Sequence, residues 1–119
     1  MLDVFKALLP TTIAVLPNLN KDDSRVVIMS EEVILRHAKD AGTDFLMYTG
    51  NFCGYCEAAK RLFSIKNLTF TEYNFEHHSG LRQDVVAATG HRTVPVIFDL
   101  RGGKVVFIGG FDETNRYLR

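Results

Sequence analysis

The apolar residues of this chain fall into short runs separated by turn-forming residues, a pattern that predicts strands. Four runs have the length and the β-branched or aromatic content of strands, namely Phe45–Thr49, Leu68–Phe75, Val94–Asp99 and Lys104–Ile108. Leu100–Gly103 joins the last two and contains two glycines, so they are expected to form a hairpin. Arg25–Met29 is a further apolar run that fits a short strand.

Helical spacing and capping residues predict four helices between and after these runs. They extend from Ser30 to about Ala41, from Glu57 to about Ile65, from Ser79 to Thr89 and from Phe111 to Leu118. Ser30 and Ser79 suit the N-cap positions of the first and third helices, and a glycine follows each of these helices, where it favours termination. The glycine pair at residues 109–110 separates the last strand from the last helix.

The order of the elements is β-α-β-α-β-β-α, with one extra helix in front. Strand–helix–strand crossovers give a parallel pair, and the hairpin adds antiparallel strands. The sequence therefore predicts an α/β domain with the thioredoxin-like order, in which helices flank a central four-stranded mixed sheet. We assign residues 30–119 to this domain and residues 1–29 to an N-terminal extension of unknown role. Leu2, Phe5, Leu8 and Leu9 have partial helical spacing within that extension.

A chain of 119 residues has the length of one domain. Its 14 basic and 14 acidic residues give a formal net charge of zero, which argues against nucleic acid as the main partner, because phosphate binding favours a basic excess. No apolar run of about 18 residues is present, so no membrane segment is expected. Residues 1–17 are apolar, but Asp3, Pro10 and the lack of an A-x-A site do not fit a signal peptide. We therefore expect a cytoplasmic protein.

Cys53 and Cys56 are the only cysteines. A disulfide between them would close a loop too short to add much stability, because the entropy removed from the unfolded chain grows with loop length. A structural zinc site needs about four ligands, and the histidines are scattered without a second ligand pair. A Cys-x-x-Cys pair between a predicted strand and a predicted helix is instead typical of a redox motif.

The position of the cysteine pair predicts a role for each thiol. The attacking species in disulfide exchange is the thiolate, and the N-terminus of a helix favours it through unpaired N–H groups and the positive end of the dipole. Cys53 lies at that end and is predicted to attack. Cys56 lies one turn further along the helix and is predicted to resolve the mixed disulfide.

Five further residues, four of them close to the pair in the sequence, have two interpretations each. Lys60 and Arg61 either add positive potential near the thiolate or are ordinary solvated charges. Phe52 and Tyr55 either form an apolar wall for a bound peptide or simply pack. Pro95 either follows a cis peptide bond or marks a strand that begins only at the next residue.

Three segments together resemble the glutaredoxin family. They are Cys53-Gly54-Tyr55-Cys56, the run from Thr89 to Pro95 (TGHRTVP) and the run from Gly109 to Asp112 (GGFD). Their order and spacing match the family over roughly residues 44–119. The resemblance implies a glutathione-dependent thiol–disulfide oxidoreductase that reduces protein disulfides and glutathione mixed disulfides through Cys53 and Cys56. Its implied partners are glutathione and disulfide-containing or glutathionylated proteins, and we expect a monomer.

The resemblance also implies a glutathione groove. A cis proline shapes it, the residue before that proline pairs its backbone with the cysteinyl part, and the groups after the double glycine hold the γ-glutamyl end. In relatives, two arginines approach the glycyl carboxylate, because a guanidinium can pair with a carboxylate through two hydrogen bonds. The alternative is that both are ordinary surface arginines. The residues so assigned are Tyr55, Arg82, Arg92, Thr93, Val94, Pro95, Gly110, Phe111 and Asp112.

Two positions depart from the family pattern. Gly50 stands where the family usually has Lys or Arg, which removes one carboxylate contact and one source of thiolate stabilisation, unless Arg82 compensates. Gly54 stands where proline is usual, and relatives with a small residue there include members that hold a [2Fe–2S] cluster through the first cysteine, here Cys53, and glutathione. A cluster carrier and a dedicated electron donor to an enzyme such as ribonucleotide reductase are therefore alternative functions.

Overall fold

The computed structural model describes residues 24–119, with side chains from Met29 onward. Within this range the chain forms four α-helices and four β-strands, with a 3-10 turn at Phe75–His77. Their bounds in chain order are α1 Ser24–Ala41, β1 Phe45–Thr49, α2 Gly54–Ile65, β2 Phe70–Asn74, α3 Leu81–Thr89, β3 Val96–Asp99, β4 Val106–Gly109 and α4 Phe111–Tyr117. None of these helices is long and apolar enough to cross a membrane.

The four described strands form one mixed sheet in the order β2-β1-β3-β4. β1 and β2 are parallel, while β1 with β3 and β3 with β4 are antiparallel. β1 and β2 are connected through α2, and β3 and β4 through the predicted hairpin. The predicted mixed sheet and the order of the elements are therefore confirmed. β1 lies in the middle of the sheet, and the cysteine pair follows its carboxyl end.

Helices cover both faces of the sheet. Alternate side chains of a strand point to opposite faces, and every residue of β1 is buried, so neither face is open to solvent at β1. Leu46 and Tyr48 pack in the larger core cluster, which includes residues of α1 and α3. Phe45 and Met47 pack in the second cluster with Ala59 and Phe63 of α2, against which residues of α4 also pack. α2, which carries the second cysteine, is thus fixed to the sheet by its buried face.

The sequence interpretation of the first helix was wrong in two respects. Arg25–Met29 is not a strand but part of α1, and Ser30 is not an N-cap but a buried residue inside the helix. A β-branched run is only a weak signal, which its surroundings in the folded protein often override. The helix therefore continues across the division between residues 29 and 30. The helical segment suggested by Leu2, Phe5, Leu8 and Leu9 lies outside the described residues, and the division into extension and domain stays a prediction.

Smaller differences affect the ends of other elements. Gly80, in the left-handed region with φ 81°, is the N-cap of α3 in place of Ser79. β2 is shorter than the predicted run Leu68–Phe75, and β4 begins at Val106, two residues after Lys104. Such shifts of a few residues are common at the ends of predicted elements.

A histidine on α1 forms a hydrogen bond to a residue of the sheet. His37 Nδ1 lies 2.9 Å from the hydroxyl of Tyr48, whose side chain is fully buried. The His37 ring also stacks on Tyr73 of β2, with 4.0 Å between ring centroids. Burial, the nearby charge of Arg36 and that of His78 lower the pKa of His37, while Asp40 partly opposes them.

This lowered pKa predicts a pH-dependent stability. Because the folded state holds His37 with a pKa below its unfolded value of 6.5, the unfolded state binds more protons as the pH falls through that range, and the free energy of unfolding decreases. Urea unfolding between pH 8 and pH 5 measures the slope. His37→Gln retains an acceptor for Tyr48 and is expected to reduce it. An unchanged slope in this variant would show that His37 is not its source.

Candidate active site

The cysteine pair lies where β1 ends and α2 begins. Cys53 and Cys56 form a disulfide with their Cα atoms 5.2 Å apart. Cys53 is the N-cap of α2 in an extended conformation, and its sulfur accepts a hydrogen bond from the Cys56 N–H at 3.0 Å. The Cys53 sulfur thus satisfies an N–H group that the helix itself leaves without a partner.

The two sulfurs differ in access to solvent. Cys56 is buried, with 2% of its surface exposed, whereas Cys53 is partly exposed. Cys53 is therefore the more accessible of the two sulfurs to an external disulfide. Cys53 also lies at the N-terminus of α2, where unpaired N–H groups and the positive end of the helix dipole favour a thiolate over a thiol.

The Val94–Pro95 segment lies beside the Cys53 sulfur. The Cys53 sulfur lies 3.8 Å from the Val94 carbonyl oxygen. The Val94–Pro95 peptide bond is cis, and β3 begins at Val96. Both interpretations of Pro95 are therefore met, because the proline precedes the strand and does not interrupt its ladder.

A groove of about 220 Å³ opens beside these residues. Seven of the nine residues that the resemblance assigned to glutathione line it, and the rings of Tyr55 and Phe111 stack at its wall with centroids 6.2 Å apart. The lining residues are Tyr55, His91, Thr93, Val94, Pro95, Gly110, Phe111, Asp112 and Glu113. Residues from three separate segments of the chain thus meet in one concave surface.

His91 and Glu113 belong to this lining and were not among the predicted residues. His91 Nε2 lies 3.2 Å from the Thr93 hydroxyl. Glu113 accepts a hydrogen bond from the Gly110 N–H at 2.8 Å, and this bond is the main cause of the lowered pKa of its carboxyl. An acidic residue three positions after the N-cap of a helix is a recognisable capping signal, so Glu113 was detectable from the sequence.

Glu113 also explains why the chain has glycine at position 109. Gly109 has φ 131°, and a Cβ there would lie 3.0 Å from the Glu113 Cγ. The backbone conformation would strain any other residue, and a Cβ would also require the Glu113 side chain to shift. The double glycine thus lets the Glu113 side chain fold back over the start of α4.

The two predicted arginines lie outside the groove lining. Arg82 is 3.8 Å from Glu76 in a half-exposed ion pair, and its guanidinium lies over the Phe75 ring, 4.9 Å from the centroid. Its terminal nitrogen is also 3.8 Å from the point where a Cβ on Gly50 would lie. Arg82 therefore borders the place where a cation at position 50 would emerge. Arg92 is exposed.

Lys60 is not directed at the thiols in this structure. Its ammonium group lies 2.9 Å from Glu72 and 3.3 Å from Glu57. Burial raises the pKa of Glu72, but hydrogen bonds from Thr49 and Lys60 outweigh it, and the pKa is lowered. The Lys60 charge is thus neutralised by two carboxylates, while Arg61 is exposed.

The arrangement is suited to two-electron exchange between thiols and disulfides. One sulfur is accessible and held by a helix N-terminus, a second lies within bonding distance behind it, and a groove adjoins them. Across residues 24–119, no three His, Cys, Asp or Glu side chains are grouped so that they would hold a metal ion.

Comparison with known proteins identifies the same segment. The sequence model of the glutaredoxin family matches residues 45–110. Glutaredoxin 3 of Escherichia coli (strain K12) is 36% identical over 67 residues, which cover 56% of this chain and 76% of that protein. A probable glutaredoxin of Acanthamoeba polyphaga mimivirus is 36% identical over 90 residues, covering 66% of this chain and 80% of the viral protein.

Solved structures agree with this assignment. The crystal structure of a buckwheat glutaredoxin–glutathione complex superposes with a TM-score of 0.64 at 24% identity, covering 81% of this chain and 84% of the other. At this identity the match shows the fold. The segment matched by the family's sequence model contains all four described strands, the cysteine pair and the cis proline. With its sequence match and its fold in agreement, the chain belongs to the glutaredoxin family and is a thiol–disulfide oxidoreductase of the dithiol type.

Proposed function

We propose that this protein is a glutathione-dependent oxidoreductase that reduces protein disulfides and glutathione mixed disulfides. One observation carries the proposal. The accessible sulfur of Cys53 lies 3.8 Å from the Val94 carbonyl oxygen, and Val94 is itself part of the groove lining. A thiol tripeptide bound in the groove would thus have its own sulfur beside the Cys53 sulfur.

The proposed reduction of a protein disulfide has two steps. The Cys53 thiolate attacks one sulfur of the substrate, a Cys53–substrate disulfide forms, and the other substrate sulfur leaves as a thiolate that takes up a proton. The Cys56 thiolate then attacks the Cys53 sulfur, which closes the Cys53–Cys56 disulfide and releases the second substrate sulfur as a thiolate that is protonated in turn. Two electrons pass from the dithiol to the substrate.

Glutathione restores the dithiol in two further exchanges. A glutathione thiolate attacks the Cys53 sulfur, forming a mixed disulfide and releasing Cys56 as a thiol. A second glutathione thiolate attacks the glutathione sulfur of that mixed disulfide, so glutathione disulfide leaves and Cys53 returns as a thiolate. A glutathionylated protein enters the same cycle at the mixed disulfide and does not require Cys56.

The groove supports a particular placement of glutathione. Its volume of about 220 Å³ is below the roughly 300–1,000 Å³ of sites that enclose a small molecule, so the tripeptide would lie across it, partly exposed. The Gly110 N–H is already bound to Glu113. We therefore assign the γ-glutamyl carboxylate to the N–H groups of Phe111 and Asp112, which have no partner within the first turn of α4.

Gly50→Lys is expected to strengthen glutathione binding. A Cβ at this position meets its nearest atom, a Val94 methyl, at 3.6 Å, which is ordinary contact, and the backbone there is not left-handed. The new ammonium group would supply the cation that relatives have, beside Arg82. An exposed ion pair contributes about 0.2–1 kcal/mol, so the apparent KM for glutathione is expected to fall about 1.5- to fivefold in a turnover assay.

Gly50→Gln is the matched control for this change. It has a similar length and no charge, so its apparent KM should stay near that of the parent. If Gly50→Lys and Gly50→Gln have the same KM, the glycyl carboxylate does not lie near position 50 and the proposed orientation is wrong.

The electron source separates the proposal from its alternatives. Regeneration of the dithiol by glutathione with glutathione reductase supports the proposal, whereas regeneration by a thioredoxin reductase alone would favour a dedicated electron donor. A cluster carrier would need ligands from glutathione and a second chain besides Cys53. Iron and sulfide in protein purified without oxygen and with glutathione would show that function. A protein that contains neither iron nor sulfide and does not reduce disulfides would exclude both the cluster carrier and the oxidoreductase.

A further inference from the structure

Phe52, directly before the attacking cysteine, is fully exposed, at 105% of its reference surface. Tyr55, two positions after Cys53, is 64% exposed. Single exposed apolar residues need no explanation, whereas two large exposed rings that flank a reactive cysteine in the sequence give its surroundings an apolar character. No charged residue lies between Gly50 and Cys56, so this surface is also uncharged along the chain.

Neither the backbone nor the core accounts for a phenylalanine at this position. Phe52 has φ 54°, in the left-handed region, which glycine and asparagine adopt with less strain than a bulky residue. Its exposed ring packs in neither of the two core clusters formed by the described residues. It also contributes nothing to the lining of the groove. The ring therefore has no role in the described fold that a smaller residue would not fill.

We propose that Phe52, with Tyr55 beside it, is a docking surface for polypeptide disulfides whose reacting cysteine is flanked by apolar side chains. This inference rests on the proposed reduction of protein disulfides by Cys53. In the mixed disulfide, the partner's cysteine is bonded to the Cys53 sulfur. An extended partner advances about 3.3 Å per residue, and neighbouring Cα atoms such as those of Cys53 and Phe52 are about 3.8 Å apart. Residues one or two positions from the partner's cysteine are thus within reach of the Phe52 ring.

The same geometry predicts which substrates depend on Phe52. A glutathione adduct of a small molecule occupies the groove, whose lining does not include Phe52, so its reduction should not change. A peptide extends beyond the groove and covers the exposed ring. Apolar side chains gain from that contact because both partners remove apolar surface from water, whereas polar side chains gain nothing comparable.

Two synthetic peptides test the proposal. Each carries one intrachain disulfide, and they differ only in having leucine or serine on both sides of the reacting cysteine. The parent protein is expected to reduce the leucine peptide about five- to tenfold faster in kcat/KM, the size of effect that partial burial of such side chains gives. Phe52→Asn, which suits the left-handed backbone, is expected to remove most of this preference, and Phe52→Tyr to retain it.

Ile65→Asn is the matched control, since Ile65 is 79% exposed at the far end of α2. It should keep the preference for the leucine peptide. All variants are also assayed on a glutathione adduct of a small thiol, where the rate should change less than twofold. An equal loss on both kinds of substrate in Phe52→Asn would assign Phe52 to the structure of the active-site turn and overturn the proposal.

Two other results would separate the docking surface from self-association and from the proposed glutathione dependence. An unchanged leucine preference in Phe52→Asn, together with a concentration-dependent dimer that this variant abolishes, would assign the surface to self-association and overturn the proposal. A parent protein that reduces the leucine peptide with its preference intact, but no glutathione adduct, would contradict the proposed glutathione dependence and still support the docking surface.

Discussion

Replacing Cys53 by serine is expected to abolish reduction of both protein disulfides and glutathione mixed disulfides. The hydroxyl that replaces the thiol is not ionised at neutral pH and does not attack sulfur. The remaining thiol, Cys56, is buried with only 2% of its surface exposed, so it cannot take over. Loss of a nucleophile commonly costs a factor of about 10³ or more in rate, and turnover assays with each substrate class measure it.

Cys56→Ser is the matched variant on the same turn of α2. It is expected to retain reduction of glutathione mixed disulfides, because glutathione itself completes that cycle at Cys53. Reduction of protein disulfides should fall strongly, because the Cys53–substrate disulfide has no internal thiol to resolve it. If Cys53→Ser stays active while Cys56→Ser loses both activities, the roles assigned to the two cysteines are reversed.

Phe63→Ala is expected to destabilise the protein by about 3–5 kcal/mol, as removal of a buried aromatic ring usually does. Phe63 is fully buried on α2, with its ring centroid 4.7 Å from that of Phe45 and 5.6 Å from that of Phe70. Since the whole free energy of unfolding of a small domain is about 5–15 kcal/mol, this loss is a large fraction of it. Urea denaturation followed by circular dichroism measures the change.

Ile65→Ala is the control for this substitution, two residues further along the same helix. Ile65 is 79% exposed, so its replacement should change the free energy of unfolding by no more than about 0.5 kcal/mol. Similar losses for Phe63→Ala and Ile65→Ala would show that the buried face of α2 does not hold the cysteine pair against the sheet.

The sequence predicted the sheet well because most of its strands are short apolar runs separated by clear turn residues. β1 is the best example, since all five of its residues are buried and only Thr49 among them is polar. The start of α1 was mispredicted for the same reason, because Arg25–Met29 has equally strong strand composition. Local composition does not show that this run continues into a helix packed against α3.

The groove was predicted in part, by resemblance and not by periodicity. The runs at residues 89–95 and 109–112 bring backbone groups together, and their short motifs are specific enough to place Val94, Pro95 and Gly110. His91 was missed because its ring contacts depend on the path of the chain around the cis proline. The position of Arg82 was not predictable, because its distance to Gly50 depends on how α3 packs near the end of β1.

Mass spectrometry of the two serine variants tests the central claim most directly. After incubation of each variant with glutathione disulfide, Cys56→Ser is predicted to carry one glutathione per chain, located on Cys53 by fragmentation, and excess glutathione should release it. Cys53→Ser is predicted to carry none. A glutathione adduct on Cys56 in Cys53→Ser, with none on Cys53 in Cys56→Ser, would contradict the account.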